Sequence, residues 1–287
     1  MAEKDQRSNT GVLFVVGMPI GNLDDLSPRA LATLRAARLI ACEDTRRTGR
    51  LLAEHRITTP IRSYFEHNEE RRVPEIVARL VEGDSVALVT DAGTPAISDP
   101  GYRLVRAALE AGIVVKAVPG PSAVIAALSI AGLPTDRFVF EGFVPQREGT
   151  RRDRLEALAH ETRTFVFLEA ARRLKATLAE MTLVFGAARQ AAVVREITKT
   201  YEETVRGSLE ELTAMFTKRE ALGEITLVIE GAPRSQTESR DFDETVAMAA
   251  MCEAGLSLKQ ASGVVAKLLG TGRREIYQRA LRTRESR

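Results

Sequence analysis

Residues 86–101 read VALVTDAGTPAISDPG, and their order of residue types decides the fold. Val86 to Val89 is a short β-branched and apolar run, the mark of a buried strand. Asp91 ends it, and a loop stiffened by Gly93, Pro95 and Pro100 follows before a helical pattern begins. Asp99 with Pro100 is expected to start that helix as cap and first residue. A strand whose carboxyl end feeds such a loop is where open α/β sheets bind small ligands, because peptide N–H groups are free there and the backbone can approach a ligand closely. The plain alternative is a connection that only needs tight turns.

The same unit recurs on either side. Val12–Val16 predicts a strand followed by GMPIGNLDDLS (17–27), with Ser27 and Pro28 as cap and first residue of a helix. Leu39–Cys42 predicts a second strand ending in Glu43-Asp44-Thr45-Arg46-Arg47, then a helix to about His55. Ile61–Phe65 predicts a third strand, ending in Glu66-His67-Asn68-Glu69, and Val73–Val81 a helix stopped by Gly83. Val114–Val118 predicts another strand, ending in Pro119-Gly120-Pro121-Ser122-Ala123, with a helix to about Ile130. Strand, loop and helix in repetition call for a mostly parallel sheet covered by helices, with the loops gathered at one edge as a single cleft.

Leu133–Gly149 is less regular and is taken as a domain boundary. Beyond it a second α/β pattern is expected: helix 151–160, strand 164–168, helix 172–184, strands at 191–196 and 203–207, helix 208–217 and strand 224–230. Residues 232–241 read as a linker of turn-formers and charge. The tail is expected to be helical, with Ser257 and Gln260 as a capping box and Gly270-Thr271-Gly272 between two helices, the second carrying Arg273, Arg274, Arg279 and Arg282. A helix-turn-helix and a plain helical pair both fit. The fold class is therefore α/β: two α/β domains, 11–132 and 133–231, with a cleft between them, and a C-terminal helical region, 242–287.

Composition narrows the function. The 287 residues are 44% hydrophobic and 28% charged with a net charge of +2, as in an ordinary globular protein. No apolar run is long enough for a membrane span, and MAEKDQRSNT holds no apolar core of a signal peptide, so a cytoplasmic protein is expected. Two cysteines, Cys42 and Cys252, match no zinc or redox spacing, and three scattered histidines make no metal site. Walker A, a strand-linked GxGxxG and a GxSxG elbow are absent. What remains is a cleft of backbone and carboxylates, suited to a cationic ligand that needs positioning more than activation, such as S-adenosylmethionine.

MPIGNLDDLSPRAL (18–31), EDTRRTGRLL (43–52), HNEE (67–70), VALVTDAGTPAISDPGYRLV (86–105), PGPSAVIAALSIAGLPTDRFVFEGFVP (119–145) and REITKTYEE (195–203) occur in this order. Together they resemble the tetrapyrrole-methylase superfamily, and within it the branch that methylates a cytidine 2′-hydroxyl in bacterial 16S ribosomal RNA. The resemblance runs from about Gly11 to Gly231 and on into the tail. It implies S-adenosylmethionine in the cleft and a homodimer acting on the small ribosomal subunit, without metal or membrane. Carried over by position, Pro19, Gly21, Asp91, Ala92, Gly93, Thr94, Ile97, Ser122, Ala123 and Leu168 would contact the cofactor. Met18, Leu168, Ile197 and Glu169-Ala170-Ala171-Arg172 depart from the family's usual residues.

A 2′-hydroxyl is a poor nucleophile near neutral pH and calls for a positioned base. The candidates are Glu43, Asp44, Glu196 and Lys199, the last only if burial depresses its pKa. Each has a plain alternative, a salt bridge or, for Asp44, a helix cap. Arg46, Arg47, Arg151 and Arg152 are candidate RNA-phosphate contacts, or partners of nearby carboxylates. His67, Asn68 and Glu69 either meet the substrate ribose or make a turn. Two other functions stay open: methylation of a tetrapyrrole or of diphthamide on the same fold, and a non-catalytic RNA-binding assembly factor.

Overall fold

The computed structural model describes residues 10–233, 244–269 and 271–285. The expected linker from residue 234 onward, Gly270 and the N-terminal nine residues lie outside the described residues. Residues up to Gly231 form one compact unit and those from Ala232 a second.

The first sheet holds β1 (Val12–Val16), β2 (Leu39–Cys42), β3 (Ile61–Ser63), β4 (Val86–Leu88) and β5 (Val114–Val118), all parallel, in the order β3-β2-β4-β1-β5. Four helices cover it: α1 (Pro28–Ala36), α2 (Thr45–Glu54), α3 (Glu69–Val81) and α4 (Tyr102–Glu110). Ala30 and Leu34 of α1 and Leu52 of α2 pack with Val16, Ile40 and Ala87 on one face. Ile76 and Leu80 of α3 and Leu104 and Ala108 of α4 pack with Leu13, Ala41 and Leu88 on the other. The chain therefore leaves the adjacent strands β1 and β4 toward opposite faces, which opens a crevice between their carboxyl ends.

The second sheet runs β6-β7-β10-β8-β9, from β6 (Phe138–Phe143), β7 (Thr164–Ala170), β8 (Gln190–Arg195), β9 (Glu203–Ser208) and β10 (Glu224–Ile229). Only β6 and β7 are parallel, and the other pairings are antiparallel. One face carries α6 (Glu148–Ala157), α7 (Leu174–Phe185) and α8 (Leu209–Lys218), whose Leu155, Leu178, Met181 and Leu212 pack on Phe165, Phe167 and Leu227. The other face receives α5 (Ala123–Ala131), the helix that leaves β5. Val124, Ala127 and Leu128 of α5 share a core with Val166, Ala192, Val194 and Val228, and with Ile20 from the β1 loop. This core joins the two sheets.

Several expectations need correction. Asp99 does not cap a helix: α4 starts at Tyr102 behind Gly101, whose φ of +142° only glycine adopts readily. β3 stops at Ser63, because Tyr64 turns into the core and residues 66–68 form a 3-10 turn. α3 begins at Glu69 rather than Val73 and carries Pro74 inside it. The stretch 133–149 contains a regular strand, β6, hidden by a bulge at Gly142, whose φ is +71°. α6 begins three residues before the expected 151.

In the second unit, α9 (Glu244–Glu253), α10 (Leu258–Leu269) and α11 (Arg273–Glu285) enclose a small core of Met248, Ala261, Val265 and Ile276. Ser257 and Gln260 form the expected capping box, the Gln260 N–H donating to Ser257 Oγ at 3.3 Å. Among the described residues no helix is long and apolar enough to cross a membrane.

Candidate active site

The site is built on the ends of β1, β2, β4 and β5. Met18 and Gly93 exchange backbone hydrogen bonds at 2.8 and 3.1 Å, so the β1 and β4 loops are clipped together across the crevice. Gly17 and Gly120 touch so closely that a Cβ on Gly17 would lie 2.6 Å from the Gly120 nitrogen, which brings the β5 loop against the β1 loop. Glu43 Oε2 accepts the Thr90 hydroxyl at 2.9 Å. Asp91 Oδ1 accepts the Asp44 N–H at 3.1 Å and Oδ2 pairs with Arg47 Nη1 at 3.0 Å, which ties β4's loop to the start of α2.

The β4 loop is held in an uncommon shape. Gly93 has φ +74°, and Ala96 and Ser98 take φ +69° and +62°, where side chains are strained. Its far end is anchored in the core: Glu69 Oε1 accepts the Gly101 N–H at 3.1 Å and the Tyr64 hydroxyl at 2.7 Å. The loop shows Ile97 to solvent, 53% exposed. The N–H groups of Ala92 and Thr94 meet no acceptor among the described residues.

The second sheet closes on the β1 loop. A Cβ on Gly21 would lie 2.6 Å from Lys199 Cγ and 2.8 Å from Thr198 Oγ1, and the Asn22 N–H donates to Thr198 Oγ1 at 3.1 Å. Glu196 and Thr198 both take left-handed backbone, φ +51° and +66°. Leu168 stands on β7 opposite Thr226. Ser122 caps α5, and Ala123 packs against the core that joins the sheets. The expected cofactor residues of the β1, β4 and β5 loops thus stand on loops that the fold holds together, with free amides at Ala92 and Thr94 next in the loop to the Asp91 carboxylate. That donor set fits a cationic, nucleoside-bearing ligand.

The base candidates separate by environment. Asp44 caps α2 and pairs with Arg46 at 3.0 Å; the Arg46 side-chain and backbone hydrogen bonds hold its carboxyl at about 2. Glu196 accepts the Glu224 N–H at 3.0 Å and pairs with Lys199 at 3.0 Å, so its pKa is lowered. Burial pulls the Lys199 pKa down, but Glu196 and Glu224 outweigh it, and the net shift is upward. The depressed pKa that Lys199 would need as a base is not there. Glu43 makes no ion pair among the described residues and rests on Thr90.

Asp99, expected as a helix cap, joins this group. Burial, with Glu43 and Asp91 nearby, pushes its pKa up to about 6, and it lies within hydrogen-bonding reach of Thr90. The signal for it was in the sequence: two acidic residues, Asp91 and Asp99, flank one loop of glycine and proline.

The RNA candidates divide as well. Arg46 and Arg47 have side chains 85% and 68% exposed, though paired with Asp44 and Asp91. Arg152 is exposed and pairs with Glu156 one turn away. Arg151 pairs with Glu180 with both side chains mostly buried, so it cannot reach a phosphate without breaking a structural contact. Asn68 and Glu69 make a turn and a core contact: Asn68 Oδ1 accepts the Phe65 N–H at 2.9 Å. Glu169 is buried, accepting the Thr177 hydroxyl at 2.6 Å, so the departure around 169–172 is part of the framework at its first residue.

The chain is similar to known proteins along most of its length. The profile of tetrapyrrole (corrin/porphyrin) methylases matches residues 12–213, and that of the RsmI C-terminal HTH domain matches 240–284. Ribosomal RNA small subunit methyltransferase I of Xylella fastidiosa is 44% identical over 94% of this chain and 99% of that protein. The proteins of the same name from Synechocystis and Pseudomonas aeruginosa are each 45% identical, over 94% and 95% of this chain and 98% of theirs. The fold is that of uroporphyrin-III-C-methyltransferase from Thermus thermophilus, with a TM-score of 0.55 and 22% identity over 77% of this chain and 94% of that one.

Proposed function

The chain belongs to the tetrapyrrole methylase family, and from that premise we propose that it transfers a methyl group from S-adenosylmethionine to a cytidine 2′-oxygen of 16S ribosomal RNA. The observation that carries this reading is likeness along the whole chain, tail included, to relatives named for small-subunit ribosomal RNA methylation. The enzyme works in the cytoplasm as a homodimer on an assembled or nearly assembled small subunit, because folded RNA offers many phosphates where one nucleotide offers little binding area.

The loops holding Pro19, Gly21, Asp91–Thr94 and Ile97, with Ser122, Ala123 and Leu168, form the cofactor site. S-adenosylmethionine supplies an electrophilic methyl group on a sulfonium. The protein's part is orientation and proton removal. The strained β4 loop would present its free N–H groups without reorganising, and Asp91, fixed by Arg47 and the Asp44 N–H, would supply a carboxylate to a bound cationic ligand. Glu43, which accepts the Thr90 hydroxyl, and Asp99 beside it are the carboxylates that take up the 2′-hydroxyl proton. A carboxyl with a pKa of about 6 matches that task better than one at about 2.

The test is transfer of labelled methyl to purified 30S subunits by wild type and Asp91→Ala. Label in the RNA that protects one cytidine linkage from alkali and is absent with the variant is the expected result. Cofactor binding without label in RNA moves the acceptor to a small molecule, and no cofactor binding at all makes the protein an assembly factor.

A further inference from the structure

A cavity of about 690 Å³ lies in the second α/β half. It is bounded by Ala170–Lys175, where β7 runs into α7, and by Phe216–Gly223, where α8 runs into β10. Its volume is in the range of about 300–1,000 Å³ that takes a small ligand or one unit of a polymer. Four cations line it, Arg172, Lys175, Lys218 and Arg219, against one carboxylate, Glu220. Arg219 is fixed, stacked 4.7 Å from the Phe216 ring centre and paired with Glu203 at 2.8 Å. Arg172, Lys175 and Lys218 have no hydrogen-bond or ion-pair partner among the described residues, in a protein where most arginines at the site are already paired.

The cavity is not remote from the site. Ala170 pairs in register with Glu224, two residues along β7 from Leu168. Gly223, on the rim, lies so close to Glu196 that a Cβ there would fall 2.0 Å from Oε1. The same end of the second sheet thus carries both the cavity and the 196–199 segment that closes on the β1 loop. Three partnerless cations on long stems suit a phosphodiester strand, whose charge is spread along its length, better than a compact ligand needing a fixed fork.

We infer that this basic cavity is a second RNA-contact site, which grips the phosphate backbone beside the target nucleotide. The inference rests on the RNA reading above. It gives the substrate a grip that does not depend on Arg151, which is committed to Glu180.

The test compares wild type with Arg172→Gln/Lys175→Gln/Lys218→Gln, exposed residues whose loss removes no contact. Binding to 30S subunits and to deproteinised 16S RNA is measured between about 50 and 200 mM salt, with S-adenosylmethionine affinity by calorimetry. The expected result is RNA affinity weakened about tenfold, with log K against log salt shallower by about two to three, and cofactor affinity unchanged. Glu220→Gln should tighten RNA binding. If the triple variant keeps both affinity and salt slope while wild type methylates RNA, the cavity is not an RNA site and the function stands. Loss on 30S subunits alone, with naked RNA bound normally, assigns the cavity to an acidic ribosomal protein and overturns the inference. Wild type that binds cofactor and no RNA overturns inference and function together.

Discussion

Gly21 and Lys199 meet across the seam between the two sheets with no room for a single added carbon: a Cβ on Gly21 would stand 2.6 Å from Lys199 Cγ. The lysine stem can shift, but Thr198 Oγ1 at 2.8 Å and the Ile197 carbonyl at 3.0 Å are held by left-handed backbone at Thr198 and by the bond from the Asn22 N–H. Gly21→Ala therefore wedges the β1 loop away from the second sheet. Overpacking of this kind costs about 1–3 kcal/mol. The expected outcome is a lower unfolding midpoint in urea and weaker binding of S-adenosylmethionine, both read on the purified variant. Unchanged cofactor affinity would separate this seam from the cofactor site.

Lys199 is predicted to remain an ammonium throughout the neutral range. Glu196 at 3.0 Å and Glu224 at 3.1 Å offset its burial and leave its pKa above the ordinary value. A positioning cation tolerates arginine better than a base does. Lys199→Arg should keep methyl transfer within about tenfold of wild type, with the same pH profile. A profile that loses its acidic limb in this variant would make Lys199 the base after all.

The first sheet was legible because each of its strands is a short apolar run followed by turn residues, and buried parallel strands need nothing more subtle. Ser27, Asp44 and Ser122 were legible as caps or loop ends for the same local reason. Asp99 was misread because Asp-Pro looks like a helix start, whereas Gly101, held by Glu69 from α3, delays the helix by two residues. β6 was hidden by a glycine bulge, and the antiparallel order of the second sheet is set by long-range pairing that no local pattern announces. The ion pairs of Arg47 with Asp91 and Arg151 with Glu180 join residues 44 and 29 positions apart, and spacing along the chain gives no sign of either.

The anchor of the β4 loop can be weighed directly. Buried Glu69 accepts from Tyr64 Oη and from the Gly101 N–H, and Arg103 lies 3.5 Å from its other oxygen. Tyr64→Phe removes one donor and leaves the others in place, at a cost of about 1–2 kcal/mol. Glu69→Ala strands both donors and should cost about 2–4 kcal/mol. Urea unfolding with an unchanged m-value checks both numbers. Because Gly101 ends the loop that carries Asp91 and Ile97, Glu69→Ala should also weaken cofactor binding, whereas Tyr64→Phe should barely change it.

Asp99 carries the pH dependence. Its folded pKa, about 6, stands above its ordinary value of 3.8, because burial and the neighbouring Glu43 and Asp91 disfavour its charge. The folded state therefore holds this proton more tightly than the unfolded chain does, and the stability linked to it is fully present below about pH 4. It is lost as pH rises through about 6, where the folded carboxyl must ionise among other carboxylates. Asp99→Asn has no charge to bury. Its stability should exceed wild type at about pH 7.5, by of the order of 1 kcal/mol once the shift is discounted for partial exposure, and the advantage should vanish near pH 4. Thermal melts of both proteins across that window provide the check. The same variant should lose methyl transfer at neutral pH by about a hundredfold if the Glu43–Thr90–Asp99 group receives the proton. A variant more stable yet equally active would uphold electrostatic strain at Asp99 in the wild type and remove Asp99 from the reaction.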